Sequence, residues 1–107
     1  ERSAIGRGWS ESLQEDIAAL LVKRAVRDRL AACGSVSGPV TSTYWWKDNL
    51  NREVEYVMVF KTTATAAPKL IEFLRKSHTY ENPEIIVTPI TGGSGDYMDW
   101  VRSETGV

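Results

Sequence analysis

The chain has 107 residues, thirteen Lys and Arg against fourteen Asp and Glu, and a formal net charge of -1. That length suits one domain around one core, and 42% hydrophobic with 25% charged residues is near the average of folded globular proteins, which excludes disordered and fibrous classes. No basic surplus is present to neutralise a phosphate backbone, so nucleic acid is not an expected partner. No apolar run approaches the roughly 20 residues that cross a bilayer, and no charged-then-apolar leader opens the sequence. A soluble, cytoplasmic protein with no export signal and no membrane partner is expected. The single cysteine, Cys33, rules out an intrachain disulfide. With a single histidine, His78, one chain cannot assemble a four-ligand Cys/His zinc site.

Residues 1–11 carry neither period 2 nor period 3.6 and offer only Ile5 and Trp9 as large apolar groups, so they read as irregular or as a poor edge strand. Ser12-Leu-Gln-Glu15 has the spacing of a capping box and predicts a helix start. Leu21, Val22, Ala25, Val26, Leu30 and Cys33 then share one face, which predicts a helix running to Cys33 and ended by Gly34. Val40 to Trp46 is rich in Val, Thr, Tyr and Trp and predicts a strand. A polar turn over residues 47–52 and a second strand from Glu55 to Thr63 would complete a hairpin. Thr65 to Ser77 reads as a helix with Pro68 in its first turn and Leu70, Ile71 and Leu74 as its apolar stripe. Ile85 to Ile90 predicts a strand in which Pro89, lacking an N–H, belongs at the edge or end. Tyr97 to Arg102 reads as a short final helix or an irregular segment.

This order fits most of a ferredoxin-like βαββαβ plan of the α+β class, one domain over residues 1–107, with two helices on one face of an antiparallel sheet. The slot of the first strand falls on residues 2–9, where its sequence is weak or atypical. In the strand from Glu55, Val57 and Val59 point to one face while Tyr56, Met58 and Phe60 point to the other. Two helices cover only one of these apolar faces. The second face implies a homo-oligomer that buries sheet against sheet, unless the segment with Tyr97, Met98 and Trp100 folds over it.

Cys33 is either a small buried apolar residue or a soft ligand for copper or zinc. At a helix C-terminus its thiolate would be disfavoured, which argues against a reactive nucleophile. His78 either caps and hydrogen-bonds or binds a metal or ligand; Tyr80 follows it and counts with the ligand-binding residues. Tyr44 and Trp46 share a strand face, and Lys61 lies near the end of the paired strand. If register allows, these three line one pocket suited to a small anion; otherwise Lys61 pairs with Glu55 or with Glu84 of a neighbouring subunit. Gly92-Gly-Ser-Gly95 lacks the ending of a phosphate-binding loop and reads as a turn. No nucleophile–His–carboxylate spacing stands out, so no enzyme activity and no required cofactor are expected.

Five stretches, Arg29-Leu-Ala-Ala-Cys33, Thr41-Ser-Thr-Tyr-Trp-Trp-Lys47, Lys61-Thr-Thr63, His78-Thr-Tyr-Glu-Asn-Pro-Glu-Ile85 and Tyr97-Met-Asp-Trp100, stand in the order and at nearly the spacing of the CutA family, the divalent-cation tolerance proteins. The chain resembles that family over about residues 18 to 104. The resemblance implies a ferredoxin-like subunit in a compact homotrimer whose strands extend one another's sheets. It also implies a link to tolerance of copper and other divalent cations, which bacterial members can bind, whereas animal relatives are tied to acetylcholinesterase anchoring. No established catalytic reaction comes with it. The divalent-cation partner would be held weakly, with Cys33, His78 and Glu84 as the metal-binding candidates. The alternative is a small-molecule signalling trimer similar in architecture to the PII proteins, with ligand clefts between subunits near Tyr44, Trp46 and Lys61. Residues 2–9, Thr79 in place of the usual Pro and Asn82 in place of the usual Val depart from the family pattern.

Overall fold

A computed structural model describes residues 2–7, 12–77 and 84–105. In chain order the elements are β1 (Arg2–Arg7), α1 (Ser12–Arg27), β2 (Cys33–Trp46), β3 (Asn49–Thr62), α2 (Ala67–Ser77), β4 (Ile85–Pro89) and α3 (Gly95–Glu104). The strands form one sheet in the order β2-β3-β1-β4, with every neighbouring pair antiparallel. The architecture is α+β, and among the described residues three helices accompany the sheet.

The even-numbered residues of β3 face the helices, because side chains alternate along a strand. Met58 and Phe60 are fully buried there against Ala18, Leu21 and Ala25 of α1 and Leu70 and Leu74 of α2, with Ile85 and Val87 of β4 packed at the side. The three- and four-residue spacing of the apolar positions in α1 and α2 places them on this single layer. Val57, Val59 and Lys61 take the opposite face, together with Ile86, which is 46% exposed.

Residues 2–7, expected to be irregular or an edge strand, lie instead between β3 and β4 and pair with both. Small residues such as Ala4 and Gly6 weaken the strand signal, but two flanking ladders satisfy the backbone on both sides. The prediction for Pro89 holds: it closes β4, which is an edge strand. The capping contact expected of Ser12 falls outside the described side chains.

Helix α1 stops at Arg27 and does not reach Cys33. Arg29 adopts φ 64°, its N–H bonds to the Val26 carbonyl, and the Leu30 N–H bonds back to the Ala25 carbonyl, each at 3.0 Å. This is a Schellman ending with Arg in the left-handed position that glycine usually takes, so no glycine marks it in the sequence. Gly34 serves another purpose. A Cβ at that position would stand 2.8 Å from Val22 Cγ1 and 2.9 Å from Phe60 Cδ1, so its lack of a side chain lets α1 approach β2 and β3 closely.

The hairpin turn is also shorter than the expected polar loop. Only Lys47 and Asp48 turn, with φ of 50° and 64°, the backbone of a two-residue hairpin turn, and Asn49 to Arg52 continue β3. Between Ser37 and Val40 the register slips, so that Gly38 and Pro39 stand opposite Tyr56 as a bulge. Beyond the bulge Val40–Trp46 and Asn49–Glu55 form a two-stranded arm, since β1 pairs with β3 only from Val57 to Thr62. Trp45 and Leu50 face each other across the arm and are 71% and 63% exposed. In α2 the first turn is capped by Thr63, whose Oγ1 accepts the Ala66 N–H at 3.2 Å and whose carbonyl accepts the Ala67 N–H.

Candidate functional site

Cys33 opens β2 as a half-buried residue directly opposite Lys61 of β3. Gly34, its neighbour, points toward α1, so Cys33 and Lys61 point to the opposite face. Helix α3 reaches this end of the sheet. Tyr97 Oη lies 3.5 Å from Cys33 Sγ, and the Tyr97 ring meets Trp100 at 5.6 Å between centroids with a 40° tilt. The other end of α3 is held by Arg29, whose Nη1 pairs with Glu104 Oε1 at 3.1 Å, and Val101 between the two anchors is fully buried. The hydrogen bond with Cys33, and then burial, raise the Tyr97 phenol above its ordinary pKa. Burial and the neighbouring Glu15 carboxylate raise Tyr56 in the same direction. The alternative cover for the second face is thus met at one end only: α3 approaches it at Cys33, while Ile86 remains open.

The structure separates several residues that the sequence suggested together. Glu84 is exposed just before β4. Thr88 lies level with Cys33 but three strands away, and Glu84 precedes it by four residues. With strands about 4.8 Å apart and a rise of about 3.3 Å per residue, Cys33 and Glu84 are on the order of 19 Å apart and cannot share one ion within a chain. His78 and Tyr80 lie outside the described residues. Among the described residues, no group of three or more His, Cys, Asp and Glu comes together.

The pocket expected from Tyr44, Trp46 and Lys61 is likewise overturned within one chain. Tyr44 pairs with Asn51 and Trp46 with Asn49 on the arm, whereas Lys61 is ten residues beyond Asn51 at the opposite end of β3. At about 3.3 Å per residue that is roughly 33 Å. The Trp46 ring instead receives the Lys47 ammonium at 5.5 Å. Tyr97 is the residue that sequence reasoning missed as a partner of Cys33. The two are 64 positions apart, and no local pattern connects them.

The fold and this site define a class: a small α+β protein with an antiparallel sheet and one thiol on its open face. The model of the family described as CutA1 divalent ion tolerance protein matches residues 10–104. A divalent-cation tolerance protein CutA from Thermus thermophilus is 39% identical over 92 residues, covering 86% of this chain and 89% of that protein. The Escherichia coli protein of the same name is 36% identical over 93 residues, covering 87% and 80%. The solved structure of the divalent cation tolerance protein (Cut A1) of Thermus thermophilus has a TM-score of 0.89 at 35% identity and covers 98% of each chain. That of CutA1 from the psychrotrophic bacterium Shewanella sp. SIB1 has a TM-score of 0.89 at 32% identity, covering 100% of this chain and 97% of that one. The chain belongs to the CutA family of divalent-cation tolerance proteins. Among the described residues no helix is long and apolar enough to cross a membrane.

Proposed function

We propose that this chain is a non-enzymatic, cytoplasmic divalent-cation tolerance protein that works as a homotrimer of ferredoxin-like subunits and binds copper weakly. Family membership carries the cation-tolerance part of this reading. The trimer is supported by the arm, because an isolated two-stranded ribbon is marginal in water and this one exposes Trp45, Leu50 and Val54 along one side. The half-open sheet face with Val57, Val59 and Ile86 is a second surface that another copy would cover.

Copper is the cargo in this reading. The Cys33 thiolate is the soft donor, and Glu84 and His78 would have to come from a neighbouring copy, since Glu84 of the same chain is too far away. So few donors per chain imply a dissociation constant on the order of micromolar or weaker. Native mass spectrometry of the chain, followed by copper(II) titration of the wild type and of Cys33→Ser, His78→Ala and Glu84→Gln, tests the reading. A trimer whose copper affinity falls about tenfold in Cys33→Ser is expected. A monomer would refute the assembly, and identical titrations of all four proteins would refute the ligand set.

A further inference from the structure

The register and the position of α3 bring three different polar groups to one corner of the open sheet face. Cys33 and Lys61 are direct cross-strand partners, which sets their Cβ atoms about 5 Å apart on the same face. Tyr97 Oη is 3.5 Å from Cys33 Sγ, so a thiol and a phenol from β2 and α3 meet beside the β3 residue that carries the Lys61 ammonium. Lys61 is half-buried, and among the described residues it forms no ion pair. Of the three α3 carboxylates, Asp99 is held by Arg102 at 2.7 Å and Glu104 by Arg29 at 3.1 Å, and Asp96, in the first turn, forms no ion pair with Lys61 among the described residues. An ammonium on a half-buried lysine, beside a thiol–phenol pair with one proton left to donate, is a setting that an anion satisfies. Beside it Trp100, 41% exposed and tilted against Tyr97, offers an aromatic face at the rim.

We propose that this corner is a binding site for a small organic anion, in which the Lys61 ammonium takes the anionic group, the Cys33–Tyr97 pair donates to it the one proton its own hydrogen bond leaves free, and Trp100 flanks the body of the molecule. The aromatic wall that belongs with Lys61 is therefore Tyr97 and Trp100 of α3. Every residue of the site belongs to one chain; the site lies at a corner of the face that another copy would cover in the proposed trimer, and it shares Cys33 with the copper reading. A carboxylate and a phosphate monoester share the required chemistry, and the body of the ligand is flat.

The test is an amide-resolved NMR titration of the full, chelator-treated chain with phenyl phosphate, benzoate and inorganic phosphate at low ionic strength. Saturable shifts centred on Cys33, Lys61 and Tyr97 are expected from phenyl phosphate, benzoate or both, and the stronger of the two names the anionic group. Inorganic phosphate, which has no flat body, should bind about tenfold more weakly than phenyl phosphate. Lys61→Gln should weaken binding about tenfold and Tyr97→Phe by a smaller factor. Lys61→Arg keeps the charge and should stay within about threefold of the wild type, which separates loss of charge from loss of fold. No saturable shift up to about 10 mM of either organic anion, or equal binding by wild type and a folded Lys61→Gln, would overturn the proposal. Subunit count and copper binding are read separately by native mass spectrometry, so failure here is distinguishable from failure of the metal-tolerance reading.

Discussion

Gly34→Ala tests how closely α1 lies on the sheet. The added Cβ would stand 2.8 Å from Val22 Cγ1 and 2.9 Å from Phe60 Cδ1. Carbon atoms rest comfortably at about 3.5–4.0 Å, so each contact falls short by roughly 0.6 Å or more. Phe60 is fully buried in the cluster with Met58, Leu70 and Leu74, and close-packed interiors leave little room for a ring to move. Overpacking of this kind costs about 1–3 kcal/mol, offset by about 0.4–1 kcal/mol because alanine restricts the unfolded chain more than glycine does. A net loss of about 1–2 kcal/mol is expected, read by urea unfolding at one fixed protein concentration so that any association term cancels. Gly92→Ala is the control, because nothing lies within 4 Å of a Cβ there. A double-mutant cycle with Val22→Ala should show a coupling, since removing Val22 Cγ1 makes room for the new methyl group. If Gly34→Ala is as stable as Gly92→Ala and the cycle shows no coupling, the close approach of α1 is wrong.

Three further outcomes follow from the packing and the electrostatics. Leu70→Ala, in the fully buried cluster, should lose about 2–5 kcal/mol by denaturant unfolding, whereas Leu20→Ala on the exposed side of α1 should stay within about 0.5 kcal/mol. Arg29→Gly relieves the left-handed backbone while losing the partly exposed pair with Glu104, and Arg29→Ala loses the pair alone. The glycine variant should therefore be the more stable of the two by about 1 kcal/mol, and the reverse order in thermal melts would contradict the Schellman ending. Because the folded Tyr97 phenol titrates above its unfolded value, its contribution to stability is complete below about pH 10 and disappears as pH rises through the raised value. Stability measured against pH should fall above that point in the wild type and fall less in Tyr97→Phe, with Tyr56 still contributing in the same direction.

Element types were readable where the apolar period was strong. The stripe of α2, the placement of Pro68 and Pro89, and the pairing of the two long strands β2 and β3 follow from spacing and from the chemistry of proline. The misreadings have specific causes. Gly34 looked like a helix terminator because its role is to leave room for α1, and that need is visible only when the helix and Phe60 are in place. Arg29 adopts positive φ without being Gly, Asn or Asp, so the end of α1 is not announced by its residue, and Lys47 at positive φ beside Asp48 hides how tight the hairpin turn is. Strand β1 reads poorly because its small residues carry little strand propensity, yet it is flanked on both sides by ladders.

The sequence by itself determined the class of the protein: one α+β domain of nearly neutral charge, one thiol, and motifs in the register of a known family. Those properties are local or compositional, and a linear pattern records them. What only the tertiary structure decided is which polar groups meet. Register along β3 placed Lys61 beside Cys33 and far from Tyr44 and Trp46, the four-strand order kept Glu84 away from Cys33, and the packing of α3 brought Tyr97 across 64 positions to the thiol. Strand order and one-residue registers are set by the packing of whole elements against a shared core, and no spacing within a single segment encodes them.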